Sequence, residues 1–468
     1  MAAPTGDLLN FFSLMDAQDG VIVQETPKLD LELYIQNYKG RTRFDRLLLI
    51  GRSSVVLCVD ALKVAIAEAK KGKDVHRYRE AWECIRVAAP GEPEAQFDWT
   101  WVDTTEKSNK AETHRLESEL KGYKNNLVKE SIRMGNEDLG RHLEATGDLN
   151  GATEAYSRMR PDVSTAKQIV DVGRHLVSVS VQRREWAMVT ANLNKMASLQ
   201  NADEEKAIQP YLNVMHGIAL LGQEKYVEAA NSFLQADSQA PPSLYNEFVS
   251  HNDVAAYGGL LALATMDRKE LQAKVLDNQN FRTFLELEPH IRRAITQFVS
   301  GRYSACLTSL ESYRADYLLD IYLQKHIKTI YAQIRSKCIV QYLVPFSRVG
   351  MESMKAAFEV QGYSLEEELV SMIREGVLQA RIDSIDQQKV ITTVSVNPRA
   401  KMQATALEAA RSFEKEALDR IRRMGIAAAE LEVKGSKKGG SGNVPLPQNA
   451  EGSWIDVTRH HPQLPAEL

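Results

Sequence analysis

Apolar residues along most of this chain recur every three or four positions with charged residues between them, the spacing of amphipathic helices. Residues 1–28 are the exception. They show little periodicity and are expected to be a flexible segment, although Leu8, Leu9, Phe11, Phe12 and Leu14 offer a short amphipathic turn. An N-terminal helical region, 29–130, begins with Leu29-Asp-Leu-Glu-Leu-Tyr-Ile and continues through 41–50, 55–71 and 74–88. Pro90, Gly91 and Pro93 then interrupt, because two prolines and a glycine cannot extend a helix. Trp99 and Trp101 follow, and a longer helical pattern then runs from Val102 to about Tyr123, with a strongly charged outer face.

From Ser131 the pattern repeats. Leu139-Gly140, Leu143, Gly147, Ala152 and Tyr156 fall in the order of a tetratricopeptide-type helix pair. Gly217, Leu220, Ala229, Phe233, Ala236 and Pro241 fall at matching offsets. Small residues in this spacing let two helices approach, and large ones fill the groove between them. Weaker copies include Trp186, Val189 and Leu193, then Tyr303, Cys306 and Leu310. A single helix pair cannot bury its apolar face, so stacked neighbours build the core. These residues predict an α-solenoid over 131–336. Within it, Tyr257-Gly258-Gly259-Leu260 places two glycines inside a helix at a cost of about 1 kcal/mol each against alanine. Tight helix packing accounts for them, and neither flank is the strand that a phosphate loop requires.

The period changes over 337–398. A helix through Cys338 and Tyr342 is followed by a helical run, Met351 to Val360, and a turn at Gln361-Gly362-Tyr363. Ser364 and Glu367 then form a capping-box pattern. Leu365, Leu369, Met372 and Ile373 mark one buried helix face, and Gly376 ends the helix. Beyond it Val377, Gln379, Arg381 and Asp383 alternate with Leu378, Ala380, Ile382 and Ser384. Val390 to Val396 is rich in β-branched residues, so two strands joined near Asp386-Gln387-Gln388 are expected to form a hairpin. Helix, turn, helix and hairpin make a winged helix. Its second helix carries Glu366, Glu367 and Glu368, which oppose phosphate binding, so protein contact is expected and nucleic acid is not.

After the wing, Ala406, Ala410, Phe413, Ala417, Ile421, Met424, Ala428 and Leu431 form a narrow apolar seam on a helix spanning 399–433. A seam this narrow resembles a coiled-coil stripe. The helix either folds back or pairs with partner helices, and pairing is favoured because a finished domain precedes it. Residues 434–468 open on a Gly/Ser/Lys tract and are expected to be a disordered tail containing Trp454.

Composition adds mostly exclusions. A net charge of −4 over 468 residues implies no particular partner. Cys58, Cys84, Cys306 and Cys338 show no metal-ligand spacing and suit buried, reduced thiols. Neither a membrane span nor a signal peptide is visible, so a nuclear or cytoplasmic setting is expected. No cofactor, metal or catalytic set emerges. Gly51-Arg-Ser-Ser lacks the end of a Walker loop. His460-His461 has no further ligand nearby, and His175, His216 and His290 stand alone. The His-x-His pattern of JAMM zinc isopeptidases is missing. A non-enzymatic protein is the expectation.

Helical repeats, winged helix and C-terminal helix together resemble the PCI-domain family, shared by the proteasome lid, the COP-9 signalosome and translation initiation factor 3. More specific strings resemble the signalosome branch. They are Lys129-Glu-Ser-Ile-Arg-Met-Gly-Asn-Glu-Asp-Leu-Gly, Gly147-Asp-Leu, Ala155-Tyr-Ser-Arg, Ala256-Tyr-Gly-Gly-Leu-Leu-Ala-Leu-Ala-Thr-Met-Asp-Arg-Lys-Glu-Leu, Phe284-Leu-Glu-Leu-Glu-Pro and Tyr303-Ser-Ala-Cys-Leu. The resemblance implies a non-catalytic scaffold in the complex that removes the ubiquitin-like modifier Nedd-8 from cullins. It implies as partners other PCI subunits, JAMM isopeptidase subunits and cullin-RING ligase components. Two surfaces would carry assembly: a joining hairpin with Val377, Gln379, Arg381, Asp383, Val390, Thr392 and Val394, and a bundle helix with Ala410, Phe413, Ala417, Ile421, Met424, Ala428 and Leu431. The N-terminal helices and repeats would project outward toward cullin-ligase components. A proteasome-lid subunit of the same family is the alternative. An RNA-associated PCI protein would need a basic winged face, where this one is acidic.

Overall fold

The computed structural model describes residues 6–198, 202–358, 364–386, 388–393, 398–429 and 431. Twenty-two α-helices and three short strands make up this part of the chain. It divides into two compact units, residues 1–394 and 395–468.

Local chemistry sets the helix starts. Asp30, Asp74, Asp98 and Asp148 each accept an amide of the first turn, and Thr165 and Ser250 complete capping boxes. The four expected N-terminal helices are present as Leu31–Gln36, Arg41–Ser53, Cys58–Lys71 and Val75–Ala88. Ahead of them, the segment expected to be flexible carries the helix Gly6–Asp16. Phe11 and Phe12 lie buried in the same cluster as Phe44, Leu62 and Tyr78. Burial of two aromatic rings, worth several kcal/mol, outweighs the weak periodicity of that stretch. Trp99–Asn126 forms one long helix whose start packs in this cluster and whose end, through Leu116 and Leu120, packs on Leu139.

The repeats pack as their spacing predicts. Lys129–Thr146 and Leu149–Arg158 form an antiparallel pair in which a Cβ at Gly140 would lie 2.5 Å from the Tyr156 ring. Gly147, at φ 95°, ends the first of these helices, where a side chain would be strained. In the second strong copy a Cβ at Gly217 would lie 2.7 Å from Phe233. The paired glycines of His251–Thr265 do the same work twice. A Cβ at Gly258 would meet Phe281 at 2.8 Å, and one at Gly259 would meet Ile291 at 2.3 Å. That helix is buried on all sides, which is why its sequence shows no polar face.

One apolar core runs without a break from the repeats into the winged helix. Ile334, Cys338, Ile339 and Leu343 of the helix Ile327–Leu343 belong to the same cluster as Met354, Phe358, Leu369 and Ile391. The winged helix is thus a continuation of the solenoid. Its sheet has three strands in the order β1-β3-β2: β1 is Arg348–Gly350, β2 is Ala380–Asp386 and β3 is Gln388–Thr393. The sequence showed only β2 and β3. A three-residue strand has too few positions to display a period, and β1 is defined by its antiparallel pairing with β3.

The capping box expected at Ser364 does not form. Ser364 is the N-cap, but its hydroxyl makes no capping bond. The start of Leu365–Arg374 is held instead by burial of Leu365 and by Arg335, which grips Glu368 at 2.9 Å and donates to the Phe358 carbonyl at 2.7 Å. The turn 361–363, Gln387, Val394 and the tail 434–468 lie outside the described residues.

Candidate assembly surfaces

The wing presents the first surface. Along β2 and the residues leading into it, Leu378 and Ala380 are buried while Val377, Gln379, Arg381 and Asp383 are exposed. This is the alternation that the sequence predicts. Among the described residues, β2 is hydrogen-bonded on one side only, to β3. A free edge of this kind is a template for pairing with another chain. Val390 and Thr392, expected on the same surface, lie on the central strand. Their backbones face Asp383 and Arg381 of β2 on one side and Gly350 and Arg348 of β1 on the other. They therefore offer no free edge, because the unanticipated β1 covers it. Val394 is outside the described residues.

The second surface is the helix Pro398–Ala428. Ala410 and Ala428 are exposed and Ala417 is half-buried. Phe413 is 75 % exposed, Ile421 63 % and Met424 71 %. Leu431, also exposed, lies just past the helix end. Met402, Leu407, Leu418 and Ile426 add further exposed apolar area. A helix of this length with so many bare apolar side chains marks an interaction site.

The acidic second helix of the wing has an internal role that the sequence did not disclose. Glu368 is bound to Arg335, which belongs to the helix Ile327–Leu343. One of the three carboxylates thus ties the wing to the solenoid.

A third feature was missed altogether. Arg46 is fully buried. Its guanidinium donates to Asp320 Oδ2 at 2.6 Å, to Asp253 Oδ2 at 3.0 Å and to the Tyr34 hydroxyl. Its Cζ lies 4.0 Å from the centre of the Tyr38 ring. Tyr38 donates to Asp253 at 2.8 Å, and Tyr257 donates to Asp320 at 2.7 Å. Burial works against the charge of Arg46, but Asp253 and its other neighbours hold it well above its ordinary pKa. Burial also pushes the Asp253 carboxyl up, against the pull of Arg46. Nothing periodic marks Arg46. Its only sequence signal is an arginine standing where the apolar face of Arg41–Ser53 should continue, beside Leu47 and Ile50.

The same segment touches the repeats elsewhere, and again through polar groups. Arg41 donates to the Glu144 carbonyl at 2.5 Å, the Lys39 amide to the Asn246 carbonyl at 3.1 Å and the Lys28 amide to Asp316 at 2.8 Å. Gln324 reaches Ser53 at 3.1 Å. A cleft of about 600 Å³ opens beside these contacts, lined by Arg41, Glu137, Arg141, Glu144, Arg174 and His175 among others. Its positive and negative groups are mixed, and His175, stacked on Tyr156, has its pKa lowered by burial.

The lone histidines of the sequence sit in packed surroundings. His290 stacks on Tyr313 and bonds Tyr317 at 2.6 Å, and burial lowers its pKa to about 4. Among the described residues no three His, Cys, Asp or Glu side chains are gathered as metal ligands. No described helix is long and apolar enough to cross a membrane. The four cysteines are free and buried.

Comparison with known proteins agrees with this architecture. The family described as 26S proteasome subunit RPN7 matches residues 98–274, and the PCI domain family matches residues 310–393. The chain is similar to COP9 signalosome complex subunit 1 of Neurospora crassa, at 53 % identity over 94 % of this chain and 96 % of that protein. It is 36 % identical to the Arabidopsis thaliana protein of the same name, over 88 % of this chain and 92 % of that one. A more distant likeness joins it to the 26S proteasome non-ATPase regulatory subunit 6 of Oryza sativa, at 22 % identity over 58 % of this chain and 70 % of that one.

Proposed function

This chain belongs to the COP9 signalosome complex subunit 1 family of PCI-domain proteins, and on that premise we propose that it is a non-catalytic scaffold subunit of a signalosome. In this role it helps to build the complex that removes Nedd-8 from the cullins of cullin-RING ligases. Chemistry belongs to a JAMM isopeptidase subunit, and this chain supplies surfaces. The free edge of β2 joins it to a neighbouring PCI subunit, and the apolar helix Pro398–Ala428 enters a bundle shared with other subunits. The helical repeats over 131–336 and the helices before them face cullin-RING ligase components. The protein works in nucleus and cytoplasm.

One observation carries the reading: Phe413, Ile421 and Met424 are each more than half exposed on one long helix. Leaving three such side chains in water forfeits several kcal/mol of burial, which a partner helix recovers. The test is to tag the protein in its own cell and purify it gently. Co-purification of a JAMM subunit, PCI subunits and cullins is expected, with deneddylation in the eluate and none from the isolated chain. Recovery of proteasome lid and base proteins instead would transfer the role to the proteasome. A lone monomer would defeat the scaffold reading.

A further inference from the structure

The apolar interior of residues 1–394 is divided. Phe11, Phe44, Leu62, Tyr78, Ile85 and Val102 belong to one cluster, and the core of the repeats and wing is another that shares no buried residue with it. Where the N-terminal helices meet the later repeats, the apolar contact is a separate small cluster of Val23, Ile50, Ala61, Ala315 and Leu319, with Leu29, Leu31, Tyr34, Leu57 and Leu318 packed half-buried against it. The rest of that seam is polar: Arg46 between Asp253 and Asp320, Tyr38 on Asp253, Lys28 on Asp316, and Gln324 on Ser53. The long helix Trp99–Asn126 links the two sides. Between Val102 and Leu116 it has no fully buried residue, and polar contacts alone tie this stretch to either side: Glu106 to Arg79 and Asn109 to the Lys73 carbonyl, and Thr113 to His142.

A buried ion triad adheres poorly and orients well. Desolvation of three charges cancels much of their attraction, whereas removing one partner leaves an uncompensated charge. Seams of this kind belong to the low-stability end of a structure and open as units while apolar cores persist. We propose that the N-terminal helices, residues 6–102, form a hinged body that docks on the repeats through a latch centred on Arg46. Asp253 and Asp320 are its keepers. When closed, the latch fixes one docking angle; when open, the body swings about the 103–115 stretch, releasing the polar contact of Thr113 with His142, and bares Tyr34, Tyr38 and Tyr257. The inference stands independently of the scaffold role, since it concerns the isolated chain.

The test uses the full chain with spin labels at Leu33→Cys on the N-terminal body and Val227→Cys on the repeats, both more than half exposed, while the four native cysteines are buried. Distances between the labels are read by pulsed electron resonance. One narrow distance is expected for the parent. For Arg46→Met, a longer component should grow at least ~5-fold with helical circular dichroism unchanged. An unaltered narrow distance in a folded Arg46→Met chain would overturn the latch. If Arg46→Met does not fold, the labelled parent is titrated with urea. Lengthening of the distance before helicity falls supports the latch, and coincidence of the two transitions refutes it.

Discussion

Asp253 and Asp320 bind the same guanidinium, with Arg46 at 3.0 Å from the first and 2.6 Å from the second, and none of the three is more than 6 % exposed. Burial raises the pKa of Asp253, Arg46 pulls it down, and the second carboxylate, Asp320, adds to the rise because two carboxylates facing one cation leave one negative charge in excess. The groups facing Asp253 are Arg46, Asp320, Tyr38 and the Ser250 amide, and together they decide its titration.

A reversed pH dependence follows for this site. The folded pKa of Asp253 lies above its ordinary value, so between neutral pH and about pH 4 the native state binds more protons than the unfolded state. Its contribution to stability therefore grows as pH falls through that window. Urea unfolding at several pH values should show that Asp253→Asn removes this increment, making stability fall more steeply on acidification than in the parent. Parallel pH profiles for the two chains would exclude the proton uptake.

The glycines of the repeats should respond according to what faces them. Gly140→Ala puts a methyl group against the Tyr156 ring and should cost about 1–3 kcal/mol by overpacking. Gly122 lies in an exposed helical stretch with nothing within 4 Å of a Cβ. There the same substitution should stabilise by up to about 1 kcal/mol. Chemical denaturation of the two variants checks the contrast, and equal effects would contradict the packing role.

Glu367 and Glu368 are neighbours with different tasks. Arg335 holds Glu368 with bonds of 2.9 and 3.0 Å and also ties down the Phe358 carbonyl. Both partners are about a fifth exposed, so Glu368→Ala should cost about 1–2 kcal/mol after solvent screening. Glu367 is exposed. Its replacement by alanine should stay within about 0.5 kcal/mol. Thermal melts of the two single variants discriminate between them.

Charge on the bundle helix should separate folding from assembly. Ile421→Asp with Met424→Asp changes two exposed side chains of the second unit. Incorporation into the complex should be lost, with the unfolding of the isolated chain unchanged. Gel filtration of a tagged lysate and circular dichroism of the purified variant measure the two halves. Normal incorporation would remove this helix from the assembly role.

What the chain declared on its own was local. The pairs Gly140 with Tyr156 and Gly217 with Phe233 each lie within one repeat, so spacing alone brought them together, and the apolar seam of the last helix was readable residue by residue. The alternation from Val377 to Asp383 was readable for the same reason, since a strand's two faces follow from its period of two. The tertiary structure decided what depends on distant segments. β1 exists because Arg348–Gly350 finds β3, and it turned Val390 and Thr392 from edge residues into central ones. Ser364 lost its capping role while Glu368 gained a partner in a helix already complete. Arg46 meets Asp253 across 207 residues and Asp320 across 274. No window of sequence contains such a contact, because its free energy arises only when the intervening chain has folded and water has left the seam.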